Sequence, residues 1–102
     1  MGKTPEVARK VSEARETVTI SNQRGLHARA SAKFVNTVAQ LPPELAVRVV
    51  KDGNEAAGGS ILGLMMLGAA KGDCIDIEVS GEGAEAALAK LVGLVVDGFG
   101  ED

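Results

Sequence analysis

Between Asp73 and Ser80 the chain alternates without a break: Ile75, Ile77 and Val79 fall on one side, Cys74, Asp76, Glu78 and Ser80 on the other. Successive side chains of a strand point to opposite faces, so this segment reads as a strand with one buried and one wet face. A sheet built from such strands needs cover on one side only. That restricts the chain to an antiparallel sheet with its helices packed on a single face. The other segments supply matching parts. Thr17–Ile20 alternates hydroxyl and β-branched apolar residues, and Leu45–Lys51 sets Leu45, Val47 and Val49 against Arg48 and Lys51. Asp52-Gly53 is a hairpin signal that returns the chain into a weak strand over Asn54–Gly58.

Three helical segments alternate with these strands. From Leu26 to Leu41, small residues with Phe34, Val35, Val38 and Leu41 recur at helical spacing until Pro42-Pro43 ends the run. Ser60 is an N-cap for a short apolar helix, Ile61–Leu67, closed by Gly68. After the Gly81–Gly83 turn, Ala84, Ala87, Leu88, Leu91, Val92 and Val95 form a core stripe. The order β-α-β-β-α-β-α predicts an α+β open-faced β-sandwich, a four-stranded antiparallel sheet covered on one face by three helices. Residues 1–16, charged and poor in apolar positions, read as a flexible N-terminal extension; residues 17–102 form the single domain that 102 residues can support.

Composition narrows the function. Phe34 and Phe99 are the only aromatic residues, too few for the stacking platforms of single-strand nucleic-acid binders. A net charge of −3 provides no basic face for a duplex. The lone cysteine, Cys74, excludes an internal disulfide, a redox pair and a cysteine zinc site, and suits a reducing compartment. The apolar run Ile61–Ala70 is half the roughly 20 residues a membrane span needs, and Met1–Glu16 lacks the apolar core of a secretion signal. A soluble cytoplasmic protein is expected, with no nucleic acid, no membrane insertion, no metal and no cofactor.

His27, the only histidine, falls at the start of the first helix. There the first backbone N–H groups lack intrahelical partners and the helix dipole adds positive charge, so the position suits a phosphate. Gly25 leaves room for an incoming group, the backbone of Ala28 and Ala30 lies in the same first turn, and Arg29 supplies a permanent cation. An unprotonated imidazole nitrogen can attack a phosphoryl group directly. A bland alternative is that His27 merely helps the helix begin. With no second histidine, a lone nucleophile suits a group carrier better than a complete catalytic site. Ser60 is either a plain cap or a cap that tolerates phosphorylation. Ile61, Leu62 and Met65 are either core or an exposed patch for a partner protein. Gly63–Lys71 lacks the adjoining Gly-Lys-Ser/Thr of a P-loop, and Gly81-Glu82-Gly83 does not continue as a dinucleotide fingerprint.

Two segments together resemble a known family. Gly25-Leu26-His27-Ala28-Arg29-Ala30-Ser31 with Phe34-Val35 resembles the active-site signature of HPr, the histidine phosphocarrier of the bacterial phosphotransferase system. Ser60-Ile61-Leu62-Gly63-Leu64-Met65 resembles that family's regulatory serine segment, and the resemblance spans Thr17 to Gly98. It implies that His27 accepts a phosphoryl group on Nδ1 from phosphorylated Enzyme I and passes it to a histidine of an EIIA-type partner. By the same resemblance Arg29 neutralises phosphoryl oxygens, and Ser60 is the position modified by HPr kinase/phosphorylase. Ile61, Leu62 and Met65 belong to the docking surface, and the carrier acts as a monomer. Ala30 stands where the family usually has proline, and this variant looks more like the nitrogen-related NPr branch, which favours a regulatory relay over sugar uptake. Gly58-Gly59 ahead of Ser60 also departs from the family's more polar lead-in. Outside the family stand two alternatives, a regulatory domain that binds a small anion reversibly and a purely structural interaction module.

Overall fold

A computed structural model describes residues 12–101. Four strands, β1 (Glu13–Thr19), β2 (Ala46–Lys51), β3 (Asn54–Ala57) and β4 (Cys74–Ser80), alternate with helices α1 (Ala28–Ala39), α2 (Ile61–Met66) and α3 (Ala84–Val96). A short 3-10 turn, Gly98–Gly100, follows. The strands lie in the order β1-β4-β2-β3, every neighbouring pair antiparallel. This is the open-faced sandwich expected from the alternation in Asp73–Ser80.

The central strand carries the core. Ile75, Ile77 and Val79 are buried, with Val18 opposite Ile75, and Val49 opposite Ile77. Phe34 of α1, Leu64 of α2, and Leu88, Leu91 and Val95 of α3 close over that face. The opposite face of the sheet is laced by charge. Arg15 reaches Asp76 at 3.0 Å, and Arg48 bridges Glu78 at 2.6 Å and Glu55 at 3.3 Å. Hydrogen bonds from Thr17 and Arg15 hold the Asp76 carboxyl below its ordinary range, against a smaller opposing effect of burial. Cys74 is exposed on this outer face, as the alternation requires.

Most boundaries shift by a residue or two, and the starts of the first strand and first helix differ from the expected ones for physical reasons. Strand β1 begins at Glu13, four residues ahead of Thr17, so part of the expected extension belongs to the sheet. Glu13-Ala14-Arg15-Glu16 contains a single apolar residue, and its extended form comes from pairing with Ile77, Glu78, Val79 and Ser80 rather than from its own pattern. The remainder of that extension, residues 1–11, lies outside the described residues. The first helix starts at Ala28 instead of Leu26, because Leu26 is buried in the approach to the helix, donating its N–H to Ala69 O at 2.9 Å.

Candidate functional site

The approach to α1 is a tight turn built on the loop after α2. Gly25 has φ +62°, and a Cβ there would collide with the carbonyl oxygen of Ala69. Its N–H donates to Asn22 O at 3.3 Å. Gly25 therefore serves the packing of two backbones, with its amide already engaged. One residue on, His27 takes an extended backbone (φ −76°, ψ −178°) and becomes the N-cap of α1, with no side-chain cap bond. The first helical hydrogen bond is Ser31 N–H to His27 O at 2.9 Å. The amides of Ala28, Arg29 and Ala30 thus precede the ladder, at the positive end of the helix dipole. The three residues sit differently: Ala28 and Arg29 are exposed on this first turn, whereas the Ala30 side chain is fully buried.

The imidazole is held from the other end of the chain. His27 Nε2 lies 2.7 Å from Glu101 Oε2, both side chains mostly covered. Asn22 Nδ2 donates to Glu101 Oε1 at 3.1 Å and to Gly25 O at 2.9 Å. Lys33 Nζ donates to Phe99 O at 2.6 Å and pins the same tail onto α1. Phe99 adopts φ +59° between Gly98 and Gly100, and its ring is buried. Burial pulls the Glu101 carboxyl upward, but the hydrogen bonds from Asn22 and His27 and the nearby charges of His27 and Lys33 outweigh it. The net result is a carboxyl held below its ordinary range.

Asn22, Lys33, Phe99 and Glu101 were not among the residues that sequence patterns singled out. The available signal was Gly98-Phe99-Gly100, a glycine-bracketed aromatic in a chain with only two aromatics. Such a segment can turn sharply and bury its ring.

The second singled-out segment lies at the start of α2. Ser60 is the N-cap, and its Oγ accepts the N–H of Gly63 at 2.9 Å. Helix α2 buries Leu64, and Leu67 behind it, while leaving Ile61 41%, Leu62 67%, Met65 39% and Met66 76% exposed. The expected choice between core and surface thus resolves residue by residue. The approach to α1 is joined to the loop that follows α2 through the Leu26 N–H to Ala69 O bond.

A one-faced antiparallel sheet under three helices, with a histidine capping an open helix start, defines a class of small α+β proteins. The family described as "PTS HPr component phosphorylation site" matches residues 14–97. "Phosphocarrier protein HPr" of Neisseria meningitidis serogroup A is 44% identical over 87 residues, covering 85% of this chain and 96% of that protein. "Phosphocarrier protein NPr" of Escherichia coli is 38% identical over 88 residues, covering 86% and 97%. The crystal structure of HPr-C-His from Thermoanaerobacter tengcongensis superposes with a TM-score of 0.80 at 35% identity, covering 87% of this chain and 98% of that one. The chain belongs to the HPr family of phosphotransferase-system phosphocarriers.

Proposed function

We propose that this chain is a carrier in a phosphoryl relay and not an autonomous enzyme. His27 takes a phosphoryl group on Nδ1 from phosphorylated Enzyme I and gives it to a histidine of an EIIA-type protein. The observation that carries this reading is the placement of His27 as the cap of an α1 start whose first amides have no helical partner. Those amides and the exposed Arg29 meet the phosphoryl oxygens; Ala28 and Ala30 contribute backbone only. The uncapped start is what a transferable anion needs, since a side-chain cap would occupy the same donors. No helix among the described residues is long and apolar enough to cross a membrane. The carrier reading makes the protein a cytoplasmic monomer. Its output is sugar uptake or nitrogen/carbon regulation, and Ala30 in place of the family's usual proline supports the regulatory branch.

In the same reading Ser60 is a regulatory phosphorylation site, served by an HPr kinase/phosphorylase, and Ile61, Leu62 and Met65 form the surface on which partners dock. Their exposure on α2 supports that role. A phosphate on Ser60 adds negative charge next to the region where a phosphorylated donor must approach, and so slows uptake.

Intact mass after incubation with phosphoenolpyruvate and Enzyme I tests the carrier role. Uptake adds about 80 Da, in acid-labile form, to the parent and nothing to a folded His27→Ala variant. An acid-labile gain retained in that variant excludes His27 as the acceptor. Reversible binding of phosphate with no mass gain, using an Enzyme I active on another HPr, selects the small-anion-binding reading instead.

A further inference from the structure

The contact between the C-terminal tail and the imidazole assigns a role to a residue outside both signatures. We propose that Glu101 is a positioning residue that fixes the proton of neutral His27 on Nε2, so that Nδ1 presents its lone pair to the phosphoryl group. The inference rests on the carrier reading for its consequence, but not for its geometry.

Asn22 is buried, 3% exposed. Its Nδ2 donates to Gly25 O and Glu101 Oε1, while its Oδ1 is buried without a partner. Inverting the amide would face Oδ1 toward a carbonyl and a carboxylate, two acceptors, so the orientation is set by Gly25. Asn22 therefore always offers a donor to Oε1. That leaves Oε2 for His27 at 2.7 Å. An ionised carboxylate only accepts, so Nε2 must be the nitrogen that carries hydrogen. The Lys33 bond to Phe99 O and the buried Phe99 ring keep the carboxylate in place.

During uptake the Nδ1 lone pair forms the new N–P bond as the P–N bond of a phosphohistidine donor breaks, its electron pair staying on the donor's nitrogen. Positive charge develops on the His27 ring and is met through Nε2–H by the Glu101 carboxylate. On delivery the N–P bond breaks and its pair returns to Nδ1. No proton has to leave Nε2 in either direction. An orienting carboxylate that holds a histidine in its working tautomer is a general device.

Two variants separate positioning from mere structural support. In Glu101→Gln, Asn22 still donates to the side-chain oxygen, which turns the new NH2 toward Nε2. That group can only donate, so the ring proton moves to Nδ1 and blocks the nucleophile. In Glu101→Ala neither nitrogen is chosen. The measurement is the nitrogen-15 spectrum of the His27 ring in the full chain, at a pH where the ring is neutral, with amide spectra confirming the fold.

The expected pattern is Nε2–H in the parent, Nδ1–H in Glu101→Gln and a mixture in Glu101→Ala. Phosphoryl uptake should fall about tenfold in Glu101→Ala and further in the nearly isosteric Glu101→Gln. A parent ring protonated on Nδ1, or either variant keeping the parent's tautomer, overturns the proposal. So does uptake by Glu101→Gln at the parent's rate. Failure of the parent to take up any phosphoryl group would sink the carrier reading, whereas the ring spectrum decides the role of Glu101 by itself.

Discussion

Helices α1 and α2 both begin from an extended residue, yet their first turns are finished in opposite ways. At α2 the Ser60 hydroxyl satisfies an orphan amide from within, and the turn then exposes apolar side chains. At α1 the cap residue His27 leaves the helix amides alone and turns its ring to a carboxylate from the chain's far end. A closed start favours stability and a docking surface. An open start keeps unpaired donors for an anion at some cost in helix stability, which the polar cluster and the packing of Gly25 on Ala69 offset. On the proposed reading, chemistry uses the open start and recognition the closed one.

Perturbing each start in turn should give effects that fall in a definite order. His27→Ala should remove phosphoryl uptake entirely, while Ser60→Ala leaves uptake near the parent's rate; equal losses in a mass assay would erase the distinction between the two starts. In urea unfolding, Leu64→Ala should cost about 3 kcal/mol because it empties a fully buried site, whereas Leu62→Ala should stay within about 0.5 kcal/mol. Gly25→Ala strikes the joint between the two regions. It forces a left-handed backbone and a clash with Ala69, and should cost more than about 2 kcal/mol.

A smaller effect separates the caps themselves. Ser60→Ala should lose about 1 kcal/mol with its bond to Gly63, a loss readable from the unfolding midpoint. The smallest effect is the pH response of the open start. Glu101 sits below its ordinary carboxylate value in the folded protein, so its stabilisation is complete above that ordinary value. It is lost as pH falls through the lowered folded value. Unfolding midpoints of the parent and Glu101→Ala should accordingly converge on acidification. A gap that widened toward low pH would contradict the sign of this linkage.

Local pattern was enough for the sheet's one-sidedness, for Ser60 as the cap of α2, and for His27 close to the head of α1. These follow from periodicities of two and 3.6 and from backbone groups left unpaired at helix ends, which a few neighbouring residues dictate. Pattern also marked Ile61–Leu67 as apolar, but only packing decided that Leu64 turns inward and Leu62 outward. Three other features needed the whole fold. Glu13–Glu16 is a strand because β4 offers it an edge, Gly25 is glycine because Ala69 lies against it, and Glu101 meets His27 across 74 residues of chain. Each depends on which distant backbone comes near, and no local period encodes that.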